Sequence, residues 1–236
     1  MRAYIYLVIS IPVYAVLYLF TAINVLFAII LSYLNQKRAV LAVIRFWAKN
    51  VFLITGSRLK IYGIENFDKK KKYILLANHA SLFDIMAIMA LCPGVSWFGR
   101  ERLMKIPIFS HFLKCIDYIP MQKANFRNTK EMIDKLVRNS QGLTIAMFPE
   151  GTRTKDGKIN NFYKGFIHVL KASDAEILPV TLNGFYDLKP KNRFYIKFNT
   201  RINLVVHKAI DKSVLMEKND SEIISTVKEV IESAYS

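Results

Sequence analysis

Between Arg2 and Lys37 the chain has no charged position: 34 consecutive residues, rich in Leu, Ile, Val, Phe and Tyr, leave no polar face for water. About 20 helical residues cross a bilayer core, so the run exceeds one perpendicular span by roughly half. The pattern predicts a membrane-embedded helical anchor over residues 1–36. Pro12 leaves two forms open, a single tilted span from near Tyr6 or two shorter helices in a re-entrant hairpin. A cleaved signal peptide fits less well, because Arg2 is the only basic residue ahead of the run and no small-x-small site follows it.

Past Lys37 the pattern changes twice. "RAVLAVIRFWAKNVFLITG" (38–56) mixes apolar positions with Arg38, Arg45 and Lys49 and stops at Gly56, which predicts an interfacial helix over 37–56. From residue 57 to 236, short β-branched and aromatic runs alternate with helical periods. The runs are "RLKIYG", "KYILLA", "VSWFG", "YIPM", "LTIAMF", "ILPVTL", "FYIKFN" and "INLVVH". This alternation predicts an α/β domain, a mixed, largely parallel sheet flanked by helices. Two amphipathic helices stand out: residues 128–140, with Met132, Ile133, Leu136 and Val137 on one face, and residues 220–236, with Ile223, Ile224, Val227 and Ile231. "NFDKKKKY" (66–73) reads as a solvated loop before a strand, and no internal repeat is visible.

Composition sharpens this picture. The 53% hydrophobic content is high for a purely soluble protein and its excess is local to the N-terminal run, and 34 Lys and Arg against 18 Asp and Glu give a net charge of +16. Lys37, Arg38, Arg45 and Lys49 crowd the exit of the apolar run, so the positive-inside bias puts the globular part on the cytoplasmic side. Cations beside a membrane anchor are attracted to anionic headgroups by about 1 kcal/mol each. Membrane lipids are therefore the expected partner; nucleic acid is not, since no nucleic-acid module is recognisable. Cys92 and Cys115 have apolar neighbours and no Cys-x-x-Cys spacing, and read as buried reduced thiols.

Two stretches carry chemistry. "NHASLFD" (78–84) follows the run "YILLA". Ser81 and Asp84 fit a capping box opening a helix, which would leave His79 incidental. The same residues also fit a general base, His79, oriented by the carboxylate of Asp84. "MFPEGTRTKDG" (147–157) leaves a second apolar strand. It reads either as a charged turn with a surface ion pair or as an anion site. In the second case Arg153 supplies a planar fork for phosphate, held by Glu150, with Gly151 letting the backbone approach. "NFYKGF" (161–166) adds Lys164 ahead of Gly165.

The ordered set, Asn-His-x4-Asp, then Phe-Pro-Glu-Gly-Thr-Arg some seventy residues on, then "ILPV" (177–180), resembles the lysophosphatidate (1-acylglycerol-3-phosphate) acyltransferase family over roughly residues 40–210. The resemblance implies His79 as general base, Asp84 as its orienting group, and Glu150, Gly151, Thr152 and Arg153 as binding the acceptor's phosphate. It also makes Arg100, in "GRERLMKIPIF", a candidate contact for phosphate or coenzyme A. Where the family has an acidic then a basic residue, this chain has Gln122 and Lys123, so the charge of Lys123 survives without the carboxylate. The implied reaction moves an acyl chain from an acyl-CoA or acyl carrier protein thioester to lysophosphatidate. It needs no metal and no bound cofactor. Alternatives are another lysolipid acceptor (lysophospholipid, ornithine-lipid or lipid-A-type), a serine esterase built on Ser96 or Ser81, and an inactive membrane scaffold.

Overall fold

The computed structural model describes residues 2–105, 109–116, 118–121 and 144–236. Seven strands form one sheet: β1 (Leu59–Tyr62), β2 (Tyr73–Ala77), β3 (Ser96–Arg100), β4 (Ile119–Met121), β5 (Ile145–Met147), β6 (Glu176–Asn183) and β7 (Ile202–Val206). Their order is β1-β7-β6-β2-β5-β3-β4. Only β6 and β7 pair antiparallel; the other neighbours are parallel. The expected mixed, largely parallel sheet is the one found. Of the eight runs read as strands, "FYIKFN" is not one: residues 194–199 form an irregular segment.

The sheet is covered on both faces. β2 is buried at all five positions, as a strand inside a doubly covered sheet must be. Tyr73, Leu75 and Ala77 face one core, while Ile74 and Leu76 face the other. The second core is closed by α5 (Gly165–Ala172), α7 (Lys212–Met216) and α8 (Asp220–Glu232), through Phe166, Ile167, Leu215, Ile223 and Val227. The capping box Asn219–Glu222 starts α8, so the expected C-terminal amphipathic helix is present. The helix expected over 128–140 lies outside the described residues.

On the first face lie α3 (Phe83–Leu91), α4 (Phe109–Cys115) and two N-terminal helices, α1 (Arg2–Tyr33) and α2 (Lys37–Ile54). α1 runs unbroken through Pro12 for 32 residues, about 48 Å at 1.5 Å per residue. A single helix therefore occupies the apolar run, not two short ones, and the chain reverses at Asn35, whose φ of 55° is left-handed. α1 is the one helix among the described residues long and apolar enough to cross a membrane. Leu17, Val25 and Ala28 pack into the shared core, whereas Ile11, Leu19, Ile23 and Ile30 are exposed. α2 buries Val40, Ile44, Trp47, Ala48, Val51 and Phe52 in that core, and Trp47 Nε1 donates to Thr21 Oγ1 of α1 at 3.0 Å. The core is thus continuous across residues 36 and 56.

Candidate active site

β2 and β5 run parallel with Leu76 opposite Met147, so both leave the sheet at the same level and end. Loops at the carboxyl ends of parallel strands make the crevice of such sheets. Here they are Asn78–Leu82 and Phe148–Asn160. Asn78 fixes the first loop: its amide donates to Leu182 O (2.9 Å) and accepts from Leu182 N (2.8 Å), extending the pairing of β2 with β6 through a side chain.

His79 and Asp84 meet as expected, with Nδ1 2.8 Å from Oδ2. The same Oδ2 accepts from the backbone N–H groups of Ala80 (2.6 Å) and Ser81 (2.8 Å). Both sequence readings are therefore partly realised by one oxygen, since the carboxylate reaches back to Ser81 N as in a capping box and also holds the imidazole. Every partner of Oδ2 is a donor, which fixes the proton on Nδ1 and leaves Nε2 with its lone pair. Nε2 has no hydrogen-bond partner among the described residues. The ring is 14% exposed and lies flat on Phe148, centroids 3.9 Å apart, and Phe148 in turn stacks on Trp97 at 5.5 Å. Asp84 is fully buried and its Oδ1 has no hydrogen-bond partner. Burial pushes its carboxyl up, against the lowering effect of His79 and the two backbone donors.

Glu150 does not hold Arg153. Its Oε1 accepts from His79 N (2.7 Å) and its Oε2 from Asn160 N (2.9 Å), so it ties the loop of His79 to the far end of its own loop. It is 1% exposed, and burial raises its pKa against those hydrogen bonds. The hold on Arg153 and the surface ion pair expected of it are not found among the described residues. Its signal in the sequence was a carboxylate beside Gly151, which gives no hint of a partner seventy residues away. Thr154 N donates to His79 O at 2.8 Å and closes the join. Gly151, at φ 65°, makes the turn that aims the following residues outward, and Thr152 is exposed.

Arg153 is half-buried and makes no hydrogen bond or ion pair among the described residues. Burial lowers its pKa while the charge of Asp84 opposes the shift. A part-buried guanidinium with no carboxylate partner has the chemistry to bind an anion. Arg100 is described by its backbone alone, as the last residue of β3. Lys123 and Gln122 lie outside the described residues. Lys164 is exposed ahead of α5, and its charge acts on Asp220, which is held below its ordinary range first by its bond to Lys171.

Two features escaped the sequence reading. Ser81 is fully buried and its Oγ donates to Lys189 O at 2.6 Å, so it is a tether and not an esterase nucleophile. Ser96 is also fully buried. The other feature is Lys189 itself, which "LKPKNRF" disguises as one of several surface cations. Among the described residues no group of three or more His, Cys, Asp or Glu comes together to hold a metal ion.

A sheet with a His–Asp pair and an unpaired arginine at one end defines a class. The chain belongs to the Acyltransferase family, whose profile matches residues 58–183, in agreement with the motif resemblance. It is similar to a chloroplastic 1-acyl-sn-glycerol-3-phosphate acyltransferase of Arabidopsis thaliana, 24% identical over 72% of this chain and 48% of that one. A 1-acyl-sn-glycerol-3-phosphate acyltransferase of Borreliella burgdorferi is 29% identical over 75% of this chain and 72% of its own. Among solved structures, the 1-acyl-sn-glycerophosphate acyltransferase PlsC of Thermotoga maritima superposes with a TM-score of 0.84 at 26% identity, covering 97% of this chain and 95% of that one. The chain spans about half the length of the plant relatives it matches.

Proposed function

We propose that the protein transfers an acyl chain from a thioester to the free sn-2 hydroxyl of 1-acylglycerol-3-phosphate, giving phosphatidate for phospholipid synthesis. One observation carries the reading: a histidine held at Nδ1 by a buried carboxylate and open at Nε2, in a loop bonded to the one that carries an unpaired, half-buried arginine. In the reaction His79 Nε2 takes the hydroxyl proton as the oxygen attacks the thioester carbonyl. The tetrahedral intermediate collapses with cleavage of the C–S bond, and the imidazolium returns the proton to the leaving thiolate. A positioned base contributes roughly 10² to 10⁴, and a thiolate leaves easily, so no covalent enzyme intermediate is needed. Asp84 stabilises the imidazolium; Arg153 binds the acceptor's phosphate.

Acyl-CoA and acyl carrier protein thioesters both fit this chemistry. The exposed apolar face of α1 and the cations Lys37, Arg38 and Lys49 at the α1–α2 turn and along α2 support work at a membrane from its cytoplasmic side. The test is purified full-length protein assayed with both donors against lysophosphatidate, other lysophospholipids, ornithine-lipid and lipid-A-type acceptors, and water. Transfer to lysophosphatidate above all others is expected. Preferential use of another acceptor, or fatty acid released without transfer, would overturn the reading.

A further inference from the structure

Beyond β6 the chain makes one helical turn, α6 (Phe185–Leu188), and then lays Lys189 and Pro190 directly on the catalytic loop. Ser81 and Pro190 form an isolated antiparallel bridge, and Ser81 Oγ donates to Lys189 O at 2.6 Å. From the other side Tyr186 Oη donates to Lys155 O at 2.8 Å, strapping α6 to the loop that carries Arg153. The backbone of residue 189 is therefore fixed between the loop of His79 and the loop of Arg153. Its ammonium bonds only to the neighbouring Pro190 O, at 3.1 Å, and no carboxylate pairs with it among the described residues. Burial lowers its pKa first, and the charges of Arg153 and Arg193 act in the same direction. Arg193 is occupied: it donates to the carbonyls of Asp187, Leu188 and Tyr195 and lies over the Tyr195 ring.

Lys189 and Arg153 are both part-buried and without a carboxylate partner among the described residues, on segments that the Ser81–Lys189 and Tyr186–Lys155 bonds fasten to the same loops, and an anion between those segments would offset both charges. We propose that Lys189 is a specificity-determining residue that brackets the acceptor's phosphate together with Arg153, selecting a doubly charged phosphate monoester over a singly charged phosphodiester. The inference rests on the acyl-transfer reading above and deepens it. A monoester dianion neutralises both cations and offers terminal oxygens to each; a diester leaves one positive charge uncompensated in a partly desolvated site. The ammonium suits the second position because it is a point charge with three donors, whereas the fork of Arg153 supplies the geometry.

The experiment measures kcat and KM for lysophosphatidate with full-length parent, Lys189→Gln and Lys189→Arg in detergent micelles. Lysophosphatidylglycerol, a diester, is titrated as a competitor, so that its affinity is read whether or not it is acylated. Gln keeps an N–H for Pro190 O and loses the charge. Lys189→Gln is expected to raise the KM for lysophosphatidate about 10-fold to 100-fold, the range of a charged hydrogen bond, with a much smaller change in kcat. The diester's inhibition constant should move less than about threefold, and Lys189→Arg should recover most of the lost affinity. Equal shifts for monoester and diester, an unchanged KM, or a Lys189→Arg variant as poor as Lys189→Gln would each overturn the inference. A parent inactive on lysophosphatidate overturns the acyl-transfer reading as well, so the two failures are told apart by the parent alone.

Discussion

Asp84 and Glu150 are both buried carboxyls with raised pKa values, yet they are built differently, and the difference is testable. Asp84 uses one oxygen for all its donors and leaves Oδ1 empty, so an amide can keep the accepting oxygen and put its NH₂ in the vacant place. Its folded pKa lies above the unfolded value, so the stability its protonated form confers is lost as pH rises through the folded pKa. Above the unfolded pKa its burial therefore costs stability. Asp84→Asn should hold or raise the Tm while kcat falls by about 100-fold or more, as the imidazolium loses its counter-charge; His79→Ala should lose as much activity in folded protein. A Tm and activity that fall together in Asp84→Asn would make Asp84 structural. Glu150, in contrast, accepts a backbone N–H on each oxygen. In Glu150→Gln one N–H must face an NH₂, which leaves a buried donor unpaired at about 1–3 kcal/mol. For a chain of this size that is several degrees of Tm, and thermal unfolding that matches the parent's would refute the clamp.

At the scale of elements, strands buried on both faces were the most legible. "YILLA" and "ILPVTL" have no charged position to mislead, and they became β2 and the middle of β6. The His–Asp pair was legible because both partners lie within one loop and one helical turn. "FYIKFN" alternates like a strand, but its partner is a helix: Ile196 N donates to Ser10 Oγ of α1 at 2.9 Å. Tyr195 stacks on Tyr6 and Phe194 packs on Tyr14, whose hydroxyl donates to Phe194 O. No local pattern encodes a contact 186 residues apart, and separations of 71 and 108 residues hid Glu150 from His79 and Lys189 from Ser81. The irregular segment thus joins α1 at one end and the Lys189 wall at the other. Ser10→Ala leaves the buried Ile196 N–H unpaired, a loss of about 1–3 kcal/mol, and loosens that segment without touching His79. The expected result is a several-fold higher KM for the acceptor with kcat nearly kept; a fall confined to kcat would mean that the segment does not position the acceptor wall.

Taken whole, the molecule presents an apolar helix face, a cationic turn and a site fastened to both, and work at a membrane, as proposed above, needs one of them to hold it there. Lys37, Arg38 and Lys49 are exposed, but α2 keeps its apolar face inside, and Arg45 turns inward toward Leu91 O at the end of α3. Cations alone give about 1 kcal/mol each, an attraction that vanishes in 1 M salt, where the screening length is about 3 Å. The exposed stripe of α1 is the salt-independent part, and Leu19 and Ile23 sit in it at 64% and 58% exposure, outside the core. Each Lys introduced there costs about 2.5–3.5 kcal/mol if the position lies at mid-bilayer and almost nothing if it faces water. The double substitution Leu19→Lys, Ile23→Lys should therefore leave Tm in detergent within a degree or two of the parent. In vesicles it should turn a protein that survives a 1 M salt wash into one that the wash releases. Flotation after the wash is the readout. A double variant that stays with the vesicles after the wash would place Leu19 and Ile23 outside the hydrocarbon and overturn the assignment of this stripe as the anchor, whereas a parent that is itself lost to the wash would leave the surface cations as the means of attachment.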